Sequence, residues 1–160
     1  MTKEENSARL TKAKPFNFQP TSPDTGRRIL VVDDDADTRG MLRTVFELEK
    51  FEVLEATDGE TAIDAALKHM PDLILMDMSL PNIDGVEATQ LIRSHSTIAK
   101  IPIIFLTGRA EPARRRAALE AGCNDFLVKP IHLDNMLTTV ARWLEPDGDG
   151  RYPRGDGRNG

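Results

Sequence analysis

The sequence has little that would tie it to an oxidising compartment, a polyanion or a membrane. A single cysteine, Cys123, cannot close an internal disulfide. The start, MTKEENSARLTKAK, lacks the apolar core of a secretory leader, so a reducing cytoplasm is the expected compartment. No stretch approaches the roughly 20 consecutive apolar residues that span a bilayer, and a soluble protein with no membrane partner is expected. A basic surplus is missing too. The net charge of -5 and a pI near 5.2 argue against a sequence-independent grip on nucleic acid or anionic lipid. No internal repeat is visible. What is present is 160 residues with 39% hydrophobic content, enough for one proper core and hardly two.

Residues 1–27 are polar, carry Pro15, Pro20, Pro23 and Gly26, and show almost no apolar periodicity, so they read as a disordered tail. Phe16 and Phe18 within it read as an arm packing on the domain, with a docking motif as the sharper alternative. The stretch EPDGDGRYPRGDGRNG from Glu145 has the same character. The folded unit is therefore expected at 28–145, with a second disordered, glycine-rich tail at 146–160.

Between the tails, short apolar runs alternate with longer segments of helical period, the signature of βαβ units and a parallel sheet. Five pairs are predicted. The strands are Arg28 to Val32, Glu52 to Ala56, Leu73 to Met76, Ile103 to Leu106 and Phe126 to Val128. The helices are Ala36 to Glu49, Gly59 to His69, Asp84 to His95, Pro112 to Ala121 and Leu133 to Leu144. Runs such as ILVV, LILM and IIFL are apolar throughout, as strands covered on both faces should be. Leu42, Val45, Phe46 and Glu49 mix one apolar and one polar side. Gly122 reads as a helix stop.

In an open α/β sheet, ligands bind beyond the carboxyl ends of the strands, where strand order reverses. The first strand runs into Asp33, Asp34 and Asp35, the third into Asp77, the fourth into Thr107 and Gly108, and the fifth into Lys129 and Pro130. Clustered carboxylates raise one another's pKa unless a cation lies among them. Mg2+ suits such a place, since it takes a couple of carboxylates, keeps waters and leaves a position for a phosphate oxygen. Phosphoryl transfer then assigns every group a part. Asp77 is the candidate nucleophile, forming an acyl phosphate while the metal offsets the repulsion of two anions. Lys129 supplies a compact positive charge, Thr107 a hydroxyl donor to a phosphoryl oxygen, and Gly108 room for that group.

Plainer roles cover several of these and other residues. Asp35 or Asp37 reads as a cap on the first helix, and Asp84-Gly85 as turn and helix-start chemistry. For Asp33 and Asp34 the metal role is preferred, because carboxylates ending a buried strand are costly without a partner. A lone Lys129 would read as a snorkelling surface lysine, but it ends an apolar strand just before proline. His69, His95 and His132 lie near helix ends without metal-ligand spacing. Cys123 reads as a small packing residue and Trp143 as the anchor of the last helix.

VVDDD, LILMDMSLPNIDG, IIFLTG and FLVKP, in this order and spacing, resemble the receiver domain of two-component response regulators, over roughly Arg28 to Leu144. The resemblance implies a flavodoxin-like, doubly wound α/β fold with a five-stranded parallel sheet in the order 2-1-3-4-5 and helices on both faces. It makes Asp77 the phosphoacceptor, gives Mg2+ to Asp33, Asp34, Asp77 and the carbonyl of Ser79, and makes Thr107 and Lys129 the phosphoryl-sensing pair. It places the donor phosphohistidine on a sensor histidine kinase or a histidine phosphotransfer protein. Thr107 and Phe126 would form the switch, a population shift between two packings, with phenylalanine standing where many relatives carry tyrosine. A cis Lys129-Pro130 peptide is implied as well.

Because a glycine-rich tail follows the last helix, no direct DNA binding is expected, and output is expected through an unknown protein target in trans. The family docks partners on the face of the fourth helix, fifth strand and fifth helix, where Arg114, Arg115 and Arg116 fall. These read as a solvated face, with an acidic partner as the sharper alternative. A homodimer formed on phosphorylation is compatible with the sequence. Ser79 and Arg109 flank the entrance and are expected to tune the lifetime of the acyl phosphate. The only catalysis expected is of the chain's own phosphorylation and dephosphorylation. A relay passing phosphate onward to a histidine is the nearest alternative. A flavin-binding electron carrier shares the topology, but DDDAD stands where a flavin phosphate would need donors. A receiver that has lost phosphorylation would lack an acid, the acceptor or the lysine, and none is missing.

Overall fold

The computed structural model describes residues 26–108 and 111–144. The two expected tails, with Phe16 and Phe18, lie outside the described residues, apart from Gly26 and Arg27, and so does Arg109. Among the described residues, five strands alternate with five helices: β1 (Arg28–Val32), α1 (Ala36–Leu48), β2 (Glu52–Ala56), α2 (Gly59–His69), β3 (Leu73–Asp77), α3 (Gly85–Ser94), β4 (Ile103–Thr107), α4 (Pro112–Ala121), β5 (Asp125–Val128) and α5 (Leu133–Leu144). All pairings are parallel, in the order β2-β1-β3-β4-β5. The doubly wound sheet expected from the sequence is therefore the one observed.

Strand geometry divides the core in two, because successive side chains point to opposite faces. Leu30, Val32, Ile74, Met76, Ile103 and Phe105 face Ala62, Ala66, Ala88, Ile92 and Ala118 from α2, α3 and α4. Ile29, Val31, Leu73, Leu75, Ile104, Leu106 and Leu127 face Leu42 and Phe46 of α1 and Met136, Val140 and Trp143 of α5. The continuous apolar runs of β1, β3 and β4 follow from this covering on both faces. Trp143 is buried and donates its indole N–H to Asp125 Oδ2 at 3.0 Å, which ties α5 to β5. Cys123 is buried as well.

Side-chain caps mark the starts of α1, α2 and α3. Asp35 accepts from the Thr38 amide at 3.1 Å, and Asp84 accepts from the Glu87 amide at 2.8 Å. Asp35, rather than Asp37, is thus the cap of α1. Asp58 and Thr61 form a reciprocal capping box at α2. Gly122 ends α4 with φ 107, a left-handed conformation that glycine adopts without a Cβ penalty. Around it, the Arg93 guanidinium donates to the carbonyls of Gly122, Ala99 and Ile101 and to the Asn124 side chain. Burial pushes its pKa below the ordinary arginine value, and proximity to Cys123 works weakly the other way.

Candidate functional site

Strand order reverses between β1 and β3, and at the carboxyl end of the sheet there Asp33, Asp34, Asp77 and Lys129 come together. Asp33 follows β1 directly. Its amide donates to the Ala56 carbonyl at 3.1 Å, the last rung of the ladder, and its residue is fully buried. Asp33 Oδ1 accepts from the Asp35 amide at 2.9 Å. Asp34 stands beside it and is exposed. Asp77 ends β3 opposite Leu106 and is buried, with Oδ1 accepting from the Ser79 amide at 3.1 Å. One carboxylate oxygen from each of Asp33, Asp34 and Asp77 lies within 4.8 Å of the other two.

Lys129 closes the group from β5. Its Nζ lies 3.4 Å from Asp77 Oδ2 and 3.5 Å from Asp33 Oδ2, and its amide donates to the Thr107 carbonyl at 2.7 Å. Thr107 ends β4 and is buried. The Lys129-Pro130 peptide is cis. Asp77 and Thr107 belong to the strands, one residue beyond the predicted ends of β3 and β4, because their ladder partners Leu106 and Val128 continue the pairing.

Three carboxylates and one ammonium leave the cluster short of positive charge. Burial pushes the Asp33 carboxyl up; the Asp35 amide opposes this, and the nearby Asp77 carboxylate adds to the rise. Burial also works against the Lys129 charge, but the Asp77 and Asp33 carboxylates outweigh it and hold its pKa above the ordinary lysine value. A hard divalent cation suits this set of oxygen donors and this charge deficit, and the residues fit Mg2+ on chemistry and spacing.

The other expected residues lie in the loops after β3 and β4 and on β5 and α4. Ser79 is exposed at the mouth. Beside Gly108 the space is open, since a Cβ there would meet no atom within 4 Å. Phe126 is buried, with its ring 6.2 Å from that of Phe105. The Arg115 guanidinium lies 4.8 Å above the Phe126 ring. Arg114 and Arg116 are exposed, whereas Arg115 is half-buried, so the three arginines do not form one solvated face. Beyond Lys129, an open groove of about 550 Å³ runs between β5 and α5, lined among others by Val128, His132, Asn135 and Arg142.

Two contacts have no clear signal in the sequence. Arg39 of α1 donates from Nη1 to the Asp33 carbonyl at 2.8 Å. Gly85 lies against the back of Asp77. Arginine six residues after an aspartate is unremarkable in a helix, and Asp-Gly before a helix is explained by capping alone.

Among known proteins, the family described as the response regulator receiver domain matches residues 29–141. The CAI-1 autoinducer sensor kinase/phosphatase CqsS of Vibrio cholerae is 43% identical over 123 residues, covering 74% of this chain and 17% of that protein. The regulatory protein AtoC of Escherichia coli is 40% identical over 118 residues, covering 74% of this chain and 25% of that protein. The chain thus spans a quarter or less of these two relatives. Among solved structures, the receiver domain of the sensor histidine kinase PA1611 from Pseudomonas aeruginosa superposes with a TM-score of 0.70 at 34% identity, covering 74% of this chain and 98% of that one. That structure holds a magnesium ion coordinated in its active-site cleft.

Proposed function

The chain belongs to the response regulator receiver domain family of two-component signalling, and from that premise we propose that it accepts a phosphoryl group on Asp77 from a phosphohistidine of a sensor histidine kinase or histidine phosphotransfer protein. One observation carries this reading: the buried Asp77 carboxylate faces Lys129 Nζ at 3.4 Å, with the Asp33 and Asp34 oxygens within 4.8 Å. Asp33, Asp34, Asp77 and the Ser79 carbonyl would hold Mg2+. When bound, the ion supplies the charge that lets an anionic carboxylate approach an anionic phosphoryl group.

This chain's own groups would do the rest. A carboxylate oxygen of Asp77 attacks phosphorus, the O–P bond forms as the donor's N–P bond breaks, and the electron pair leaves on the imidazole nitrogen. Lys129, already between the two carboxylates, offers its ammonium to the incoming phosphoryl oxygens. The Thr107 hydroxyl donates to one of them, and its inward movement releases space for Phe126 to change rotamer. The readout would be a change of protein binding on the face of α4, β5 and α5. The open groove beside β5 and the exposed Arg114 and Arg116 support docking there. Neither DNA nor a membrane is a proposed partner; among the described residues no helix is long and apolar enough to cross one. A cytoplasmic location is part of this reading, as is the folded unit at 28–145.

A phosphorelay step is the second reading. It is favoured by the similarity to receiver-containing sensor kinases.

Intact-mass measurement after incubation with phosphoramidate, with and without Mg2+, tests the proposal. A single Mg2+-dependent phosphoryl adduct on the natural chain, absent from Asp77→Asn, is the expected result. An adduct retained in the variant would remove Asp77 from the role. Labelled phosphate appearing on a histidine phosphotransfer protein would favour the relay.

A further inference from the structure

The backbone of Asp33 is held from both sides. Its N–H makes the last ladder bond to Ala56 of β2, and beyond that bond neither neighbouring strand continues in register with β1. The Asp33 carbonyl therefore needs a donor from elsewhere, since a buried, unpaired carbonyl is costly. Arg39 supplies it at 2.8 Å, while its Nε lies 3.6 Å from Glu55 Oε1 on β2. Glu55 is itself held by Arg43 at 2.8 Å. Only 17% of the Arg39 side chain is exposed. The fork of one guanidinium thus joins the turn that carries Asp33 and Asp34 to the end of the adjacent strand.

We infer that Arg39 is a positioning residue for cation binding, fixing the Asp33 main chain so that the Asp33 and Asp34 carboxylates are presented together. The inference rests on the proposed Mg2+ site. A guanidinium close to the acidic cluster repels a divalent cation, so its charge alone weakens metal binding. Removing the charge should then tighten binding, whereas removing the positioning should loosen it. The two roles carry opposite signs.

The test is calorimetric titration of the natural chain, Arg39→Met and Arg39→Lys with Mg2+ alone, with circular dichroism confirming that each is folded. Positioning predicts a dissociation constant raised at least threefold in Arg39→Met. It also predicts a smaller rise in Arg39→Lys, whose ammonium can still donate to the Asp33 carbonyl but lacks the planar fork needed to bridge carbonyl and carboxylate. Adduct formation from phosphoramidate should return to the natural rate for Arg39→Lys at saturating Mg2+. Unchanged or tighter binding in Arg39→Met overturns the inference. If Arg39→Met does not fold, Arg39→Lys decides alone: weaker binding supports positioning, and equal binding overturns it. A loss of rate at saturating Mg2+ with unchanged affinity also overturns it. A natural chain that binds no Mg2+ removes the underlying site, and that failure is recognised from the wild-type titration by itself.

Discussion

Gly85 stands where no side chain fits against Asp77: a Cβ there would come 2.7 Å from the Asp77 carbonyl oxygen and 3.1 Å from the Met78 Cα. The first turn of α3 is therefore seated on the backbone that carries the proposed phosphoacceptor. In a helix, alanine is ordinarily favoured over glycine by about 1 kcal/mol. Here Gly85→Ala is expected to reverse that preference and destabilise the protein by roughly 1–3 kcal/mol, because backbone and not a flexible side chain must yield. The urea midpoint should fall at unchanged slope, and Asp77 adduct formation should slow. A midpoint equal to or above that of the natural chain would show that the helix can move aside.

Lys129→Met should separate stability from metal affinity. The ammonium is the only cation within reach of both buried carboxylates among the ion pairs described. Its raised pKa means that its stabilising contribution is complete below the ordinary lysine pKa and is lost as pH rises through the raised value. At neutral pH without Mg2+, the variant should lose stability. Mg2+ should bind it several-fold more tightly, about 1 kcal/mol after allowance for screening at a partly exposed group. Phosphorylation should nevertheless slow. Paired calorimetry and adduct kinetics check the opposed signs, and weaker Mg2+ binding would refute the electrostatic assignment.

Arg93→Lys should be costly although charge is conserved. Three nitrogens of one guanidinium serve acceptors on four residues, and an ammonium with three donors on a single atom cannot reach them all. These acceptors are half-buried, so each one left without a donor costs toward the lower end of about 1–3 kcal/mol. A fall in stability of at least 2 kcal/mol is expected from urea unfolding. A fall below 0.5 kcal/mol would show that water replaces the lost bonds.

Cys123 should be nearly inert in the folded protein. Burial pushes its thiol up to about 12, with the Asp125 carboxylate adding to the rise. Its thiolate at pH 8 is then scarcer than that of a free cysteine by roughly three orders of magnitude. Alkylation by iodoacetamide should be correspondingly slow in buffer and fast in urea. The same shift means that the thiol stabilises the fold below its ordinary pKa of 9.0, a contribution lost as pH rises toward about 12. Alkylation at similar rates in both conditions would contradict this burial.

Much of the fold was legible because its signals are local or periodic. The runs ILVV and LILM are apolar at every position because both faces of β1 and β3 are covered, and Gly122 announces the end of α4. The acids and Lys129 were legible because strand ends converge in this topology. Gly85 was not, since the reason for glycine there is a backbone 2.7 Å away and not a turn. Arg39 was hidden likewise: its acceptor is a main-chain carbonyl, which has no letter in the sequence. The position of Arg115 over Phe126 depends on how α4 is rotated against β5, a matter of packing that three consecutive arginines do not reveal.

The sheet order has a consequence for the sequence of events in synthesis. The acids come from the turn after β1 and from the end of β3, but their ammonium comes from Lys129 just after β5, and the Lys129 amide bonds to Thr107 only once β5 has joined the sheet. A nascent chain that has released β1 through β4 carries the carboxylates without the lysine, and without the last strand beside Thr107. On the proposed function, competence to take phosphate would arrive only with the final strand, because the lysine beside Asp33 and Asp77 follows it in the chain.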